Sequence, residues 1–472
     1  MKEDYKILNK FTFLYLYIPT VIFLFGWCKL YISIPLFILL SIILVKMFSN
    51  YKEEFNNEKV INYFKKNKKQ ILILLFISLL YVFLSGIGGY VYQNYDHIYR
   101  NSLFESMINN SWPILEHNGE IYMVYYFALW LPAALMGKIF GVEFGYFFFY
   151  IWCTIGVFLF FNYIKDFSKK HYLLPILIFV FFSGLDFIEN FLYGGDPGTI
   201  FSKAYHIEWS TGYQFSSFTT QLFWVFNQCI PAWLLTFYIL SLKDNRIIGL
   251  LIAMSLIFCT LPSVGLAILA LYKIFYDNGI KKKDFKEWLK HTFTWENLLV
   301  GVPILIIFGL FVKSNAAGGV IIYGIPQFRI LNYILTIIYE VGIYYFLVHK
   351  YHSKNPLFYV SFIFLLLCPM LSINGAGDFC MRASIPSLLV LYMFVVKTLD
   401  ESHKKKDRKT FIALIMILAI GAITPLNEIR RTIINTNYYG GRQYGVIVSE
   451  TYFGENFYGY TKDSIFCKYF MK

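Results

Sequence analysis

Charged side chains are scarce in this sequence, and their scarcity excludes an ordinary water-soluble domain. Asp, Glu, Lys and Arg make up 15% of the 472 residues, against about 25% in typical globular domains. Hydrophobic residues reach 57%, and the mean hydropathy is +0.53. Apolar stretches near the ~20 residues that cross a bilayer as a helix recur along the chain. We therefore predict an all-α polytopic membrane protein.

Three sequence patterns are also missing. The ten-residue alternation of membrane β-strands does not occur, so each apolar stretch is expected to be a helix that satisfies its own backbone. No internal repeat is visible, and the helix lengths vary, which argues against the inverted repeats of many transporters. No small-residue cleavage site follows the first apolar run, so residues 11–27 are predicted to remain as a helix.

The seven cysteines show no C-x-x-C spacing. Cys380 and Cys467 are both expected on the outer face, where a disulfide between them is one reading. The other five fall in apolar stretches, where core packing is the expected role: Cys28, Cys153, Cys229, Cys259 and Cys368.

The net charge of +13 comes mainly from lysines in short loops between apolar segments. This placement is typical of the positive-inside pattern of membrane proteins. It excludes a nucleic-acid partner as the explanation for the charge.

About thirteen membrane spans are predicted, and charge decides two of the assignments. Segment 122–140 is apolar enough to cross, but crossing would place Lys165, Lys169 and Lys170 outside, so an interfacial or re-entrant helix is predicted there. One long helix over 247–276 would put the next lysines outside, so two short helices are predicted. The predicted spans are 11–27, 31–48, 71–91, 144–164, 172–184, 218–242, 247–261, 264–276, 298–312, 331–348, 357–373, 383–399 and 411–424.

The topology gives a transmembrane domain over 1–424 and a short outer tail over 425–472. The N-terminus is predicted to be cytoplasmic, in a cell membrane that fits a bacterial inner membrane. Four segments are expected on the outer face: 92–141, 185–217, 313–330 and the tail.

The first polar cluster, Asn94-Tyr-Asp96-His97-Ile-Tyr-Arg100, directly follows a predicted span. The carboxylate there can serve as a general base, the imidazole can adjust the pKa of that base, and the guanidinium can bind an anion. An ordinary hydrated loop explains the same residues about equally well.

The second cluster contains Asp186 and Glu189, which would share one face of a helix. Paired carboxylates at a membrane edge can bind a metal or orient an acceptor. A helix end that faces water is the alternative, and it is slightly favoured.

A third group begins with His206-Ile-Glu208-Trp209 and leads into a predicted span. Amides in hydrocarbon must find partners, so the polar stripe within that span either joins helices or lines a cavity, and the cavity is slightly favoured. The stripe consists of Gln221, Trp224, Asn227 and Gln228.

The fourth cluster places Asp378 and Arg382 at the start of a span. An arginine at the membrane edge is costly unless it is paired or used. Bidentate donation to a phosphate is one use, and a salt bridge to Asp378 is an equally good explanation. Arg329 is a weaker candidate of the same kind.

The order of these elements resembles the GT-C superfamily of membrane glycosyltransferases, such as protein O-mannosyltransferases, the oligosaccharyltransferase catalytic subunit and bacterial lipid A aminoarabinose transferases. In that family a span opens into a large outer loop with an essential acid near its start, and interfacial helices follow. Asp96 matches the acidic position. Segment 122–141, Tyr-Met-Val-Tyr-Tyr-Phe-Ala-Leu-Trp-Leu-Pro-Ala-Ala-Leu-Met-Gly-Lys-Ile-Phe-Gly, looks like the interfacial helix. The resemblance covers roughly 71–276.

The sequence also departs from the family pattern. A helical hairpin precedes the helix that would be first, and the tail is too short for a full soluble domain. His97 follows Asp96 where metal-using members supply further acids, which puts metal dependence in doubt. Asp186 and Glu189 are the candidate ligands if a divalent metal is used.

The resemblance implies transfer of a sugar from a polyprenyl-phosphate carrier to an envelope glycan, lipid or protein on the outer face. Asp96 would take the acceptor proton in an inverting displacement, and His97 would orient the acceptor or share the proton. The leaving phosphate requires positive charge in a low-dielectric site. Arg382 is the first choice, with Arg100 and Arg329 behind it.

Two other classes remain open. A transporter or flippase would place paired charges or broken helices at mid-membrane, whereas the charges here cluster at one face. A lipid-linked polysaccharide polymerase or ligase would be expected to centre on Arg-rich outer loops, and these loops are Arg-poor.

Overall fold

The computed structural model describes residues 4–49, 57–168, 171–192, 196–202, 205–208, 213–277, 284–317, 320–322, 329–373, 377–451 and 454–472. Within these residues, nine helical stretches are long and apolar enough to cross a membrane. The chain is therefore a mostly helical, multi-pass membrane protein. The nine stretches are Tyr5–Trp27, Leu30–Ser49, Asn67–Leu84, Val142–Phe167, Phe218–Ser241, Ile248–Tyr276, Phe285–Lys313, Ile330–His352 and Arg408–Tyr439.

In the first half of the chain, long apolar helices alternate with short helices and strands. Its elements are α1 (Asp4–Trp27), α2 (Leu30–Ser49), α3 (Asn57–Leu84), α4 (Asp96–Asn109), β1 (Leu115–Glu116), β2 (Ile121–Met123), α5 (Leu131–Phe140), α6 (Val142–Ile164), α7 (Leu173–Val180), α8 (Asp186–Leu192), α9 (Pro197–Ile200) and α10 (Phe218–Ser241).

Helices of the second half are more often interrupted, and three of them contain π-helical turns, at Lys273–Asp277, Glu296–Gly301 and Ile337–Gly342. The elements are α11 (Ile248–Tyr272), α12 (Phe285–Thr292), α13 (Val302–Lys313), β3 (Val320–Ile322), α14 (Ile330–Thr336), α15 (Ile343–His352), α16 (Pro356–Leu367), β4 (Leu371–Ile373), α17 (Asp378–Ala383), α18 (Ile385–Lys404), α19 (Arg408–Gly421), α20 (Ile423–Tyr439), β5 (Tyr458–Tyr460) and α21 (Ile465–Tyr469).

The helix bundle has two ends that differ in what they carry. At one end Asn9, early in α1, donates to Ser241 at the end of α10 across 2.9 Å. At the other end the last residues of the chain pair with the α1–α2 turn, because Lys29 N–H donates to the Phe470 carbonyl. We call the end with residues 85–141 and 440–472 the loop face. The opposite end, with residues 402–409, is the lysine face.

Segment 248–276 turns back on itself, as the placement of the lysines predicts. Its backbone leaves the helical conformation at Cys259 (φ −151°, ψ 67°), and Ser255 Oγ lies 2.7 Å from Ser263 Oγ. Eight residues of straight helix would separate these positions by ~12 Å. Lys273 donates to the Leu240 carbonyl, which returns the chain to the lysine face. The bend lies at Cys259 rather than within 261–265. Segment 248–276 is thus apolar enough to cross a membrane, but both of its ends lie at the lysine face.

Two predicted spans form helices shorter than a membrane. Helix α7 has 8 residues and α16 has 12, or roughly 12 and 18 Å against a ~30 Å hydrocarbon core. Helix α7 ends at Val180, and four residues later Gly184 packs directly against Glu340 of another helix. The predicted count of about thirteen spans is therefore not confirmed.

Segment 122–140 does not form one continuous helix, and its predicted place in the interface stays a prediction. Residues Ile121–Met123 are a β-strand, and the helix that follows covers only Ala128–Phe140. Helix α3 also ends earlier than predicted, at Leu84 rather than 91. The turn after it contains Gly86 and Gly88, whose positive φ values of 84° and 91° disfavour other residues.

The predicted boundary at residue 424 falls within a helix. Helix α20 continues the chain to Tyr439 as a helix, because Pro425 falls in its first turn, where proline is tolerated. The remaining tail packs on the first loop, since β5 pairs with β2 in the sheet order β1-β2-β5. The loop and tail thus form one unit on the loop face.

The predicted Cys380–Cys467 disulfide is absent. All seven cysteines lie in the described residues and are free thiols. Cys380 is buried beside Cys368, whereas Cys467 contacts Met471 at 3.8 Å. The five cysteines assigned to packing are buried, as predicted.

Candidate functional site on the loop face

The candidate base lies in the first turn of α4. Asp96 Oδ2 accepts from Arg100 across 2.9 Å, at the i, i+4 spacing that favours such pairs on a helix. The Asp96 side chain remains 40% exposed, whereas Arg100 is 5% exposed. Within the described residues, Asp96 Oδ1 accepts no hydrogen bond from a side chain. The pair fixes the carboxylate and leaves one oxygen open to solvent.

Arg100 is only partly satisfied by this ion pair. Its guanidinium lies 5.5 Å from the ring centre of Phe226 in α10. Its second amino group, NH1, is buried without a hydrogen-bond partner in the described part of the chain. A buried N–H group without a partner is costly, so an acceptor oxygen placed beside it would be stabilised.

His97 lies behind Asp96, facing the protein interior. It is 1% exposed, and its Nε2 lies 3.3 Å from the Phe223 carbonyl of α10. Burial and, next, the positive charge of Arg100 lower the pKa of His97 to about 3. The ring is therefore neutral at pH 7, and its Nε2–H donates to this carbonyl. This contact anchors α4 on α10 and gives no open path to substrate.

Aromatic side chains form a wall between Arg100 and Arg382. Tyr125 and Tyr126 lie close to Arg382, and the wall continues from Tyr125 to Phe226 beside Arg100. Its centroid separations are 5.9 Å for Tyr125–Trp130, 6.3 Å for Trp130–Phe226, 4.9 Å for Tyr125–Phe457 and 6.0 Å for Tyr99–Phe457. Two of these pairs are stacked and two are tilted, and aromatic rings of this kind suit a sugar face or an isoprenoid chain.

Arg382 forms the salt bridge to Asp378 that was the alternative to phosphate binding, at 2.8 Å. Asp378 is half exposed, whereas Arg382 is buried, with its Nε unpartnered in the described residues. The salt bridge therefore occupies only part of the guanidinium. Arg329 lies at the exposed start of α14, and the residues before it are outside the described part.

A buried charged group on α20 was not predicted from the sequence. Glu428 accepts from Arg431 NH1 at 2.7 Å, from His206 Nδ1 at 2.8 Å and from Trp224 Nε1 at 3.0 Å. Arg431 lines a small cavity together with Asn94, two residues before Asp96, and Phe223 of α10. One sequence feature could have indicated this group: two adjacent arginines, Arg430 and Arg431, follow a predicted span in a chain whose basic residues are mostly lysine.

His206 and Glu208 extend this group into the protein. Glu208 accepts from Ser217 N–H at 2.9 Å and from the Thr220 hydroxyl at 2.7 Å. Burial, and then the negative charge of Asp186, raise the pKa of Glu208 to about 7. For His206 burial is the largest influence and lowers the pKa, but Glu428 and Glu208 together outweigh it and raise the pKa overall.

Asp186 and Glu189 share a face of α8, as predicted, but that face is buried rather than hydrated. Asp186 accepts from Ser183 Oγ at 2.6 Å, and Glu189 accepts from Thr336 at 2.9 Å. Glu340, in a π-helical turn, lies against Gly184, and its Oε2 is buried without a partner among the described residues. We call Asp186, Glu189 and Glu340 the carboxylate cluster.

The carboxylate cluster carries no clear metal geometry. In the described part of the chain, no three His, Cys, Asp or Glu side chains are arranged to hold a metal ion. The candidate ligands Asp186 and Glu189 both accept hydrogen bonds from hydroxyl groups. Metal use remains a prediction.

The polar stripe of α10 divides into two parts. Gln221 accepts from Trp233 at 2.9 Å and donates to the Ser216 carbonyl. Asn227 and Gln228 are buried, and none of their amide atoms has a partner within the described residues. Helix α10 bends at Val225, so the stripe does not run straight along one face. The first part joins protein segments, and the second suits internal water.

The structure thus brings Asp96, His97 and Arg100 together against α10, with Arg431 nearby and Arg382 along the aromatic wall. Asp186 and Glu189 contact a different set of helices. Trp209 and Asn374, which belong to two of the predicted clusters, lie outside the described residues.

Comparison with family models, with curated proteins and with solved structures gives no match in any of the three. Function must therefore be argued from the site itself.

Proposed function

We propose that this protein transfers a sugar from a polyprenyl-phosphate carrier to an acceptor at the loop face. The observation that carries the proposal is an accessible carboxylate, Asp96, on a face that also carries three partly unsatisfied arginines. Arg100, Arg382 and Arg431 each keep a buried N–H group without a partner in the described residues. Asp96 remains accessible beside Arg100. A phosphate leaving group supplies the acceptors that these N–H groups lack.

The distribution of arginine supports a phosphate ligand on this face. Only eight of the 42 basic residues are arginines. Arginine binds phosphate with a planar fork, whereas lysine acts as a point charge. Six of the eight lie within or beside helices that we assign to the loop face: Arg100, Arg329, Arg382, Arg430, Arg431 and Arg442.

The proposed reaction is a single inverting displacement. The acceptor hydroxyl oxygen attacks the anomeric carbon of the donor while the bond from that carbon to the carrier phosphate oxygen breaks. Asp96 Oδ1 receives the hydroxyl proton, and Arg100 holds the carboxylate in place through Oδ2. The phosphate leaves with the bonding electron pair, and the arginine N–H groups stabilise its charge. His97 acts as a positioning residue through the Phe223 carbonyl.

Orientation follows from the lysines. Segment 402–409, with lysines at 404, 405, 406 and 409, lies on the lysine face, so we assign that face to the cytoplasm. The loop face is then outside, in a bacterial inner membrane. A count of thirteen spans would require the short helices α7 and α16 to cross together with their neighbouring segments.

The decisive experiment compares wild type with Asp96→Asn in lipid nanodiscs supplied with radiolabelled polyprenyl-phosphate sugars and mixed envelope acceptors. Removing a general base typically costs ~10²- to 10⁴-fold in rate. Asp463→Asn, an exposed carboxylate on the same face, is the matched control and should retain activity. Equal turnover in Asp96→Asn and wild type would remove Asp96 from the reaction.

Arg382→Lys tests the phosphate role separately, because it keeps the charge and loses the fork. We expect at least a tenfold loss of turnover at saturating acceptor. Unchanged turnover would move the leaving-group role to Arg100 and Arg431.

Transport is the second candidate function, and one observation favours it. The carboxylate cluster lies where α7–α8 and α19–α20 are interrupted and where α14–α15 contains a π-helical turn. Interrupted helices with buried carboxylates are typical of ion sites in transporters. Ion- or lipid-linked flux in proteoliposomes that is lost in Glu340→Gln, without any glycosyl transfer, would favour this candidate.

A further inference from the structure

A separate cavity of about 390 Å³ opens at the lysine face. It lies between the start of α1, the end of α6, the end of α10 and the last turns of α18. Its volume falls within the ~300–1,000 Å³ of small-molecule sites. The lining residues are Tyr5, Asp166, Phe167, Phe237, Leu240, Met393, Lys397, Asp400, Glu401 and Lys404. None of them belongs to the candidate site on the loop face.

One wall of this cavity is apolar and the rim is charged with both signs. Phe167 and Phe237 contact edge to face at 5.2 Å and form the wall with Leu240 and Met393. The ends of spanning helices lie at the level of lipid headgroups. An amphipathic ligand therefore fits the cavity better than a purely polar one.

Two opposite charges on the rim are left without ion pairs. Lys404 pairs with Asp400 at 3.5 Å, and Glu401 pairs with Lys405 at 3.7 Å. Lys397 and Asp166 make no salt bridge within the described residues. The Lys397 Nζ instead lies 5.8 Å from the ring centre of Phe167. A ligand that carries one negative and one positive group would satisfy both.

We propose that this cavity binds a zwitterionic aminophospholipid. The lipid phosphate accepts from Lys397, and the primary ammonium donates to Asp166 and Glu401. An acyl chain covers Phe237, Leu240 and Met393. An anionic lipid would leave Asp166 facing a like charge, and a choline headgroup has no N–H to donate.

The test uses the full-length protein in nanodiscs that contain equal amounts of phosphatidylethanolamine, phosphatidylglycerol and phosphatidylcholine. Lipids that remain bound after transfer to detergent are measured by native mass spectrometry. We expect wild type to retain phosphatidylethanolamine preferentially. Lys397→Gln should lose about tenfold or more of that retention, as expected for a hydrogen bond to a charged group. Lys409→Gln, an exposed lysine on the same face, should behave as wild type.

Asp166→Asn should retain the lipid but lose the preference over phosphatidylglycerol, because the carboxylate charge selects the ammonium. Equal retention of the three lipids by wild type would overturn the proposal. So would identical retention by Lys397→Gln and Lys409→Gln. Binding of free phosphoethanolamine as tight as that of the lipid would overturn the assignment to a membrane ligand.

Discussion

Glu428→Gln tests whether the buried charges on α20 hold the loop face together. Glu428 is 3% exposed and accepts hydrogen bonds from Arg431 on its own helix and from His206 and Trp224 on two other segments. The substitution keeps the shape and one acceptor oxygen but removes the negative charge. Arg431, 6% exposed, is then left as a buried cation. It cannot release its proton, because a guanidinium stays charged in proteins.

The expected loss follows from this geometry. Breaking a buried ion pair by removing one partner costs about 3–5 kcal/mol, mainly because the remaining charge is uncompensated. His206 adds little to this loss, since an imidazole can give up its proton. An exposed pair contributes only about 0–1 kcal/mol. Glu143, whose side chain is 82% exposed and pairs with Arg442, provides the matched control.

The assay is reversible unfolding in mixed micelles, followed by the free energy of unfolding of each variant. Glu428→Gln should lose about 3 kcal/mol or more, and Glu143→Gln less than about 1 kcal/mol. Adding Arg431→Leu to Glu428→Gln should recover at least half of the loss, because both charges are then gone. A loss below 1 kcal/mol in Glu428→Gln, or no recovery in the double variant, would refute the reasoning.

Three further predictions concern the fold. Gly184→Ala should destabilise the protein strongly, because the new Cβ would lie 2.0 Å from a carboxylate oxygen of buried Glu340. Gly309 has open space around it, so Gly309→Ala should stabilise its helix by about 0.5–1 kcal/mol in the same assay. Cysteines at Ser255 and Ser263 should form a disulfide, detected as a 255–263 cross-linked peptide by mass spectrometry in a background without the other thiols, and a straight helix would give none. Folding raises the pKa of Glu208 from 4.5 to about 7, so the stability that its protonated form contributes is present below about pH 4.5 and is lost as the pH rises through 7. Glu208→Gln should flatten the slope of unfolding free energy against pH over this range. An unchanged slope would contradict the assignment.

Long membrane helices were predicted well because each one is a local property. A run of about twenty apolar residues specifies a helix whatever its neighbours are. The predictions 11–27, 31–48 and 144–164 therefore lie within the helices Asp4–Trp27, Leu30–Ser49 and Val142–Ile164. The reversal within 248–276 was also predictable, because the lysines after it must return to the lysine face.

The candidate site was predicted only in part. Asp96 and Arg100 are four positions apart in the chain, so a helix places their side chains together. Arg382 and Asp378 pair for the same reason. Whether a residue keeps an unpaired N–H depends on its neighbours from other segments, and the sequence does not contain that information.

The sequence by itself determined that this chain is a multi-pass helical membrane protein with its lysines mostly at one end, because hydrocarbon imposes those features on each segment separately. Only the tertiary structure decided that Glu340 lies against Gly184, that Glu428 joins Arg431 to His206, and that α7 stops short of the membrane thickness. The physical reason is that a charge buried in hydrocarbon must take its partners from other helices. His206 and Glu428 lie 222 positions apart in the chain, and packing alone brings them together.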